Sequence, residues 1–278
     1  MKSEIEVIQS KIIELLKLFI DICENNDLTY YALGGTLLGA VRHAGFIPWD
    51  DDIDLGMPRE DYERFKQIAT EQINGKYQFL SEDTPGYRKA FSVIRDTSTR
   101  IVMNYSNVEQ EESLWIDIFP IDGLPSKGIK KKIHEKRYLY RRMMVQLSQF
   151  NNIVNQNKTD RPWHEKLIIK IANHLKIENI LSFEKQQYKY LKTIKKYSVM
   201  EDYAGNYTGA YKLRELVPSF YFGEPVKLDF EGIKLNCPNK YKDYLKAIYG
   251  ENYMTPPLIE QRVPHQYRVI SLGENIGE

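Results

Sequence analysis

The chain has 278 residues, enough for one large domain or for a core carrying an insertion. Charged residues make up 28 % and nearly cancel, leaving a formal net charge of +1; this excludes a globally basic nucleic-acid binder, and any electrostatic specialisation must be local. Two cysteines, Cys23 and Cys237, stand in no metal-ligand spacing and exclude a disulfide framework, so a reducing compartment is expected.

The opening MKSEIEVIQSK has no apolar run behind its charges, so no secretory leader is expected there. No charge-free apolar run is long enough to span a bilayer. The expected location is cytoplasmic, free or peripheral at the inner membrane face. Residues 4–24 repeat Ile5, Ile8, Ile12, Leu15, Leu16, Phe19 and Ile22 at helical spacing, and Asn25-Asn26-Asp27 stops that helix. A short strand, 28–33, runs into Gly34-Gly35, and Thr36 is expected to cap a helix over 37–42. Residues 52–55 read as a strand, and Pro58 opens the next helix at its first turn. Strands are expected at 77–81, 90–94, 100–105 and 114–119. Residues 127–200 turn rich in Lys and Asn with helical periodicity, as in an inserted lobe. The tail, 201–278, is mixed again: 230–235 reads as a hairpin arm, and 241–249 as a helix that Gly250 ends. Helices alternating with strands predict an α/β or α+β sheet flanked by helices.

The stretch IPWDDDIDLGM carries the chemistry. Side chains alternate along a strand, so Asp52 and Asp54 share a face, with Asp50 at its mouth. Carboxylates crowded in an apolar frame repel one another unless a cation sits between them. Oxygen donors of this kind suit Mg²⁺ or Mn²⁺, which also accept phosphate oxygens. A third carboxylate, Asp117, stands in the apolar strand WIDIF, where it would be costly without a metal or an ion-pair partner such as Arg95 or Arg100. Asp122, beside a Gly turn, reads as a turn or cap residue. Gly34, Gly35 and Thr36, between a strand and a helix, form a candidate phosphate cradle.

The run GGTLLGAVRHAGFIPWDDDIDLGMPREDYERF closely resembles the LicD family, which includes bacterial phosphorylcholine transferases and is related to fukutin. So do IRDTSTRI, WIDIFPIDGLP and FEGIKLNCPNKYKDYLKAIYGENYMTPP; the likeness is weak only across 127–200. It implies a nucleotidyltransferase-like mixed sheet in 1–126, a helical insertion in 127–200 facing acceptor or membrane, and a C-terminal part, 201–278, completing the core. It implies Asp52, Asp54 and Asp117 as catalytic metal ligands, joined by Asp50. The donor would be CDP-choline or another CDP-alcohol. The acceptor would be a lipid-linked glycan or teichoic acid precursor, with CMP leaving.

Arg42, His43, Lys89 and Arg95 are candidate phosphate contacts, and His265 a base or phosphate contact. If the alcohol is choline, its quaternary ammonium calls for aromatic faces; Trp49, Trp115, Tyr87, Tyr105, Tyr203 and Tyr207 are available. The basic stretch KGIKKKIHEKRYLYRR suits a membrane surface or a solvated helix face. Two other functions share the same residues: a nucleotidyltransferase acting on a sugar or alcohol phosphate, and a catalytically inactive glycan-binding relative. The intact Asp52, Asp54 and Asp117 argue against the second.

Overall fold

The computed structural model describes residues 3–103, 109–126, 128–150, 162–174, 176–258, 260, 262 and 267–273. Helix α1 (Glu4–Asn25) begins at a capping box, in which Ser3 accepts from the Glu6 N–H and Glu6 reciprocates. Its stripe Ile8, Ile12, Leu15, Leu16 and Phe19 is buried. Then come β1 (Tyr31–Ala32), α2 (Gly34–His43), β2 (Asp54–Pro58), α3 (Arg59–Gln72), β3 (Tyr77–Leu80), β4 (Ser92–Met103) and β5 (Gln110–Leu124). Helices α4 (Ile129–Leu147), α5 (Trp163–His174), α6 (Ile177–Ile180) and α7 (Phe183–Ile194) follow. The remainder is β6 (Tyr203–Asn206), a 3₁₀ turn (Lys212–Glu215), β7 (Leu216–Pro218), β8 (Val226–Phe230), β9 (Ile233–Cys237), α8 (Tyr241–Tyr249) and β10 (Tyr267–Ser271).

The result is a mixed α/β structure. An eight-stranded sheet runs β1-β2-β5-β4, with β3 and β10 sharing the far edge of β4, and β6 and β7 continuing from β5. The β2–β5 pair is parallel and sets Asp54 opposite Asp117, while β4 runs antiparallel to β5 with Arg95 opposite Trp115. Helix α1 packs on β4 and β5, and α3 on β2 and β5. Ile116 and Ile118 are fully buried; Trp115 and Asp117, of opposite parity, keep partial exposure on the other face. A second apolar cluster joins α4 and α7 to the sheet end, through Tyr138, Val145, Phe183, Tyr190 and Ile194 with Leu124, Tyr207 and Leu216.

Several local readings change. The strands expected at 90–94 and 100–105 are one strand, β4, whose register shifts between Asp96 and Ile101. The polar DTSTR between them spans that irregularity rather than a break. Pro58 is the N-cap of α3, one place before the first turn. The 230–235 arm is the tip of the β8–β9 hairpin, turning at Glu231 and Gly232 with φ of 49° and 75°. Asp122 is no turn residue: it is fully buried and bidentate to Arg59, at 2.8 and 2.5 Å.

Candidate active site

A cavity of about 520 Å³ opens on the sheet face away from α1, where β2 and β5 meet the start of α2. Asp50, Asp52, Asp54 and Asp117 all line it, together with Gly34 and Gly35. Backbone bonds clamp β2 from both sides: the Leu33 N–H donates to the Asp54 carbonyl at 3.0 Å, and the Asp117 N–H to the Ile53 carbonyl at 2.9 Å. Thr36 does not cap α2, which begins at Gly34 behind Leu33. Its Oγ1 instead accepts the Asp54 N–H at 2.8 Å and ties the helix to the acidic strand.

The glycines have a steric reason to be there. A Cβ on Gly34 would lie 2.9 Å from Asp54 Oδ2, and one on Gly35 would lie 2.7 Å from Asp50 Oδ2. Gly34 also has φ of +49°, a left-handed conformation that L side chains rarely adopt. The pair thus seats two carboxylates against the first turn of a helix, where N–H groups lack intrahelical acceptors.

Burial holds the Asp54 carboxyl well above its ordinary range, and Asp52, Asp117, Glu215 and Asp50 push it the same way. Glu215 was not visible in the sequence pattern. It ends the 3₁₀ turn, is buried, and accepts the Tyr211 N–H at 2.8 Å. A Cβ on Gly209 would strike both its oxygens at 2.1 Å. Burial pushes Glu215 up to about 7, against the Tyr211 N–H and the nearby Arg142 and Asn206. Arg142 of α4 was missed as well. It reads as one cation in a basic run, yet it lines the cavity and donates to the Tyr207 carbonyl at 3.0 Å.

The other expected residues fall into four groups. Lys89 reaches the site: its Nζ is 3.8 Å from Asp117 Oδ1 and 4.6 Å above the Trp115 ring. Arg95 lies on the same sheet face but lines a neighbouring cavity with Tyr87 and Trp115, held by Gln78 at 2.7 Å and Glu112 at 3.5 Å. Arg42 and His43 end α2, away from the cavity lining; Arg42 donates to His43 Nε2 at 2.9 Å and to the Tyr253 carbonyl at 3.3 Å. Trp49 is half-buried beneath the Arg262 guanidinium, 4.7 Å away. Tyr207 is in the second core and Tyr203 lies under Lys131. His265 and Tyr105 lie outside the described residues.

A second acidic group, Glu63, Glu82 and Asp83, brings its oxygens within 4.8 Å of one another. Lys66 pairs with all three, and Lys195 with Glu63 and Glu82, so these carboxylates already have ammonium partners. The carboxylates at the α2 end are the set that adjoins a substrate-sized cavity. Among the described residues no helix is long and apolar enough to cross a membrane.

Residues 27–163 match the family model described as LicD/FKTN/FKRP, nucleotidyltransferase domain. The chain is 30 % identical over 260 residues to the lipopolysaccharide cholinephosphotransferase LicD of Haemophilus influenzae, covering 91 % of this chain and 92 % of that protein. It is 40 % identical over 55 residues to the human ribitol 5-phosphate transferase FKRP, 20 % of this chain and 11 % of that one. An uncharacterized Rickettsia typhi protein, RT0683, shares 45 % over 156 residues, 56 % of this chain and 47 % of its own length. With a full-length relative and the family's domain model agreeing over the same acidic strand, the chain belongs to the LicD family and is an enzyme of the phosphotransferase class.

Proposed function

We propose that this enzyme transfers a phospho-alcohol from a CDP-alcohol, phosphocholine from CDP-choline being the first choice, to a sugar hydroxyl of a cell-surface glycan precursor. The observation that carries the reading is the convergence of Asp50, Asp52, Asp54 and Asp117 on one cavity beside Gly34 and Gly35, in a chain similar over its length to a cholinephosphotransferase. Lipopolysaccharide and teichoic acid precursors both offer such hydroxyls.

The donor set fits a divalent cation. An Asp54 carboxyl displaced upward by burial and by neighbouring carboxylates is restored to its anionic form when a cation shares them. Asp52, Asp54 and Asp117 would hold the ion, with Asp50 at the mouth, and all-oxygen ligation favours Mg²⁺ or Mn²⁺. When bound, the ion neutralises charge on the diphosphate and on the leaving phosphate.

The chain's own groups do the rest. Gly34 and Gly35 let Asp54 and Asp50 lie against the α2 terminus, and Thr36 fixes the Asp54 backbone. Lys89, on the Asp117 side, and Arg142, across the cavity, are placed to bind phosphate oxygens. Asp117 takes the proton of the acceptor hydroxyl. The sugar oxygen then bonds to the phosphorus that bears the alcohol, the bond to the bridging oxygen breaks, and CMP leaves with the electron pair.

In this reading 1–126 and 201–278 form the catalytic core, and 127–200 is an insertion meeting the acceptor or the membrane. Exposed Ile129 and Ile133 among Lys130, Lys132 and Lys136 on α4 support a peripheral contact with the inner membrane face. The test supplies CDP-choline, CDP-ethanolamine, CDP-glycerol and CDP-ribitol in turn, with Mg²⁺ and an undecorated glycan precursor. One donor should yield equal amounts of CMP and phosphodiester. Diphosphate release from a nucleoside triphosphate, with no CMP from any donor, would instead establish the nucleotidyltransferase reading.

A further inference from the structure

Beside the carboxylate site lies a second cavity of about 610 Å³, within the range of roughly 300–1,000 Å³ common for small-ligand sites. Both sit on the same face of the sheet. Gln78, Arg95 and Trp115 follow one another across β3, β4 and β5, and Trp115 is two residues from Asp117. Lys89 lines the second cavity and pairs with Asp117 of the first. A smaller cavity of about 170 Å³ lies against both, sharing Phe91 and Arg142 with one and Lys89 and Gln149 with the other.

We propose that this second cavity, walled by Trp115 and Tyr87 and edged by Gln78, Arg95 and Gln149, binds the acceptor as a sugar ring. The assignment rests on the transferase reading above and adds to it a place for the glycan. Two buried polar atoms support it: Tyr87 Oη, and Oε1 of the buried Gln149, have no hydrogen-bond partner among the described residues. Buried polar atoms are rarely left unsatisfied, and the side chains that carry these two line the cavity. Both atoms are shielded from solvent, so a sugar hydroxyl, donor and acceptor at once, reaches them only as these side chains turn toward the cavity. The C–H face of a pyranose suits the aromatic walls, and the planar Arg95–Gln78 pair, 2.7 Å apart, offers forked polar contacts.

The side on which the cavity lies also favours the acceptor over the donor. Asp117, the group assigned to the acceptor proton, lines the first cavity with Asp50 and Gly35, but among these it is the one linked to the second, through Lys89, which lines the second cavity and lies 3.8 Å from Asp117 Oδ1. A nucleophile and its leaving group lie on opposite sides of the transferred phosphorus. The first cavity has its own room for the diphosphate end of the donor.

The test uses the intact protein and methyl β-glycosides of glucose, galactose and N-acetylgalactosamine as probes. Saturation-transfer NMR should show at least one of them bound to the wild type. The signal should survive excess CMP and drop in Tyr87→Phe and Trp115→Leu, whose folding is checked by circular dichroism. In the transfer assay both variants should raise the acceptor KM about tenfold, through unmet hydrogen bonds and lost packing, with the donor KM unchanged. Absence of any glycoside signal, displacement by CMP, or a shift in donor KM alone would overturn the assignment. If no CDP-alcohol releases CMP while glycoside binding persists and falls in the variants, the transferase reading fails and the sugar cavity stands.

Discussion

Replacing Gly35 with alanine separates the stability of the α2 turn from its function. Gly35 lies inside the helix without a left-handed φ, so alanine should gain up to about 1 kcal/mol of helix propensity. The new Cβ would sit 2.7 Å from Asp50 Oδ2, where ordinary contact begins at 3.4 Å, so the carboxylate must retreat by about 0.7 Å. Asp50 is only half-buried and can move at little cost to folding. A displacement approaching 1 Å at a reacting centre costs up to about 100-fold in rate. Gly35→Ala should therefore keep its melting temperature within about 2 °C, or raise it, while losing about ten- to 100-fold in kcat/KM. Gly34→Ala should lose activity and also about 1–2 kcal/mol of stability, because alanine is strained at φ of +49°. The assays are thermal unfolding and CMP release from the CDP-alcohol donor. Full activity in Gly35→Ala would refute the claim that these glycines exist to seat the carboxylates.

Three further outcomes follow from the charges. Asp54→Asn should stabilise the protein in the presence of chelator and abolish transfer, since it removes the carboxyl most crowded by its neighbours. A raised carboxyl binds its proton more tightly when folded, so wild-type stability in chelator should rise as pH falls toward the ordinary carboxylate range, and the variant should lack that component. Asp122→Ala should cost about 3–5 kcal/mol in urea unfolding by stranding the largely buried Arg59, and Arg59→Met with Asp122→Leu should recover most of it. Burial, with Lys196 and Arg137 nearby, pushes the His134 imidazole down to about 4. The unfolded chain takes that proton near pH 6.5 and the folded one does not, so stability present above 6.5 declines as pH falls toward 4, by at most about 3 kcal/mol. In His134→Phe, urea midpoints measured across that window should lose this component.

The acidic strand was legible because two local rules suffice. Alternation puts Asp52 and Asp54 on one face, and an isolated Asp117 in an apolar strand advertises a partner. Helices α1, α3 and α8 were legible from periodicity and end signals. What escaped depends on distance along the chain. Thr36 looks like an N-cap, yet its acceptor role is set by Asp54, 18 residues on. Asp122 looks like a turn residue until Arg59 arrives from α3. Glu215 sits in a 3₁₀ turn with no period to betray it, and Arg142 is masked by the cations around it in sequence. Register is likewise invisible: nothing local says that Arg95 faces Trp115 rather than Asp117.

The rung that sets Asp54 opposite Asp117 works as a fixed caliper. Neighbouring strands hold a spacing of about 4.8 Å whatever their side chains, so the backbone gap between these two aspartates is set by peptide geometry rather than by the 62 residues that separate them. Loops between β2 and β5 are then free to lengthen or diverge without detuning the pair. Any change that slips the register by one residue would turn one of the two aspartates to the opposite side of the sheet and disarm the enzyme at a stroke.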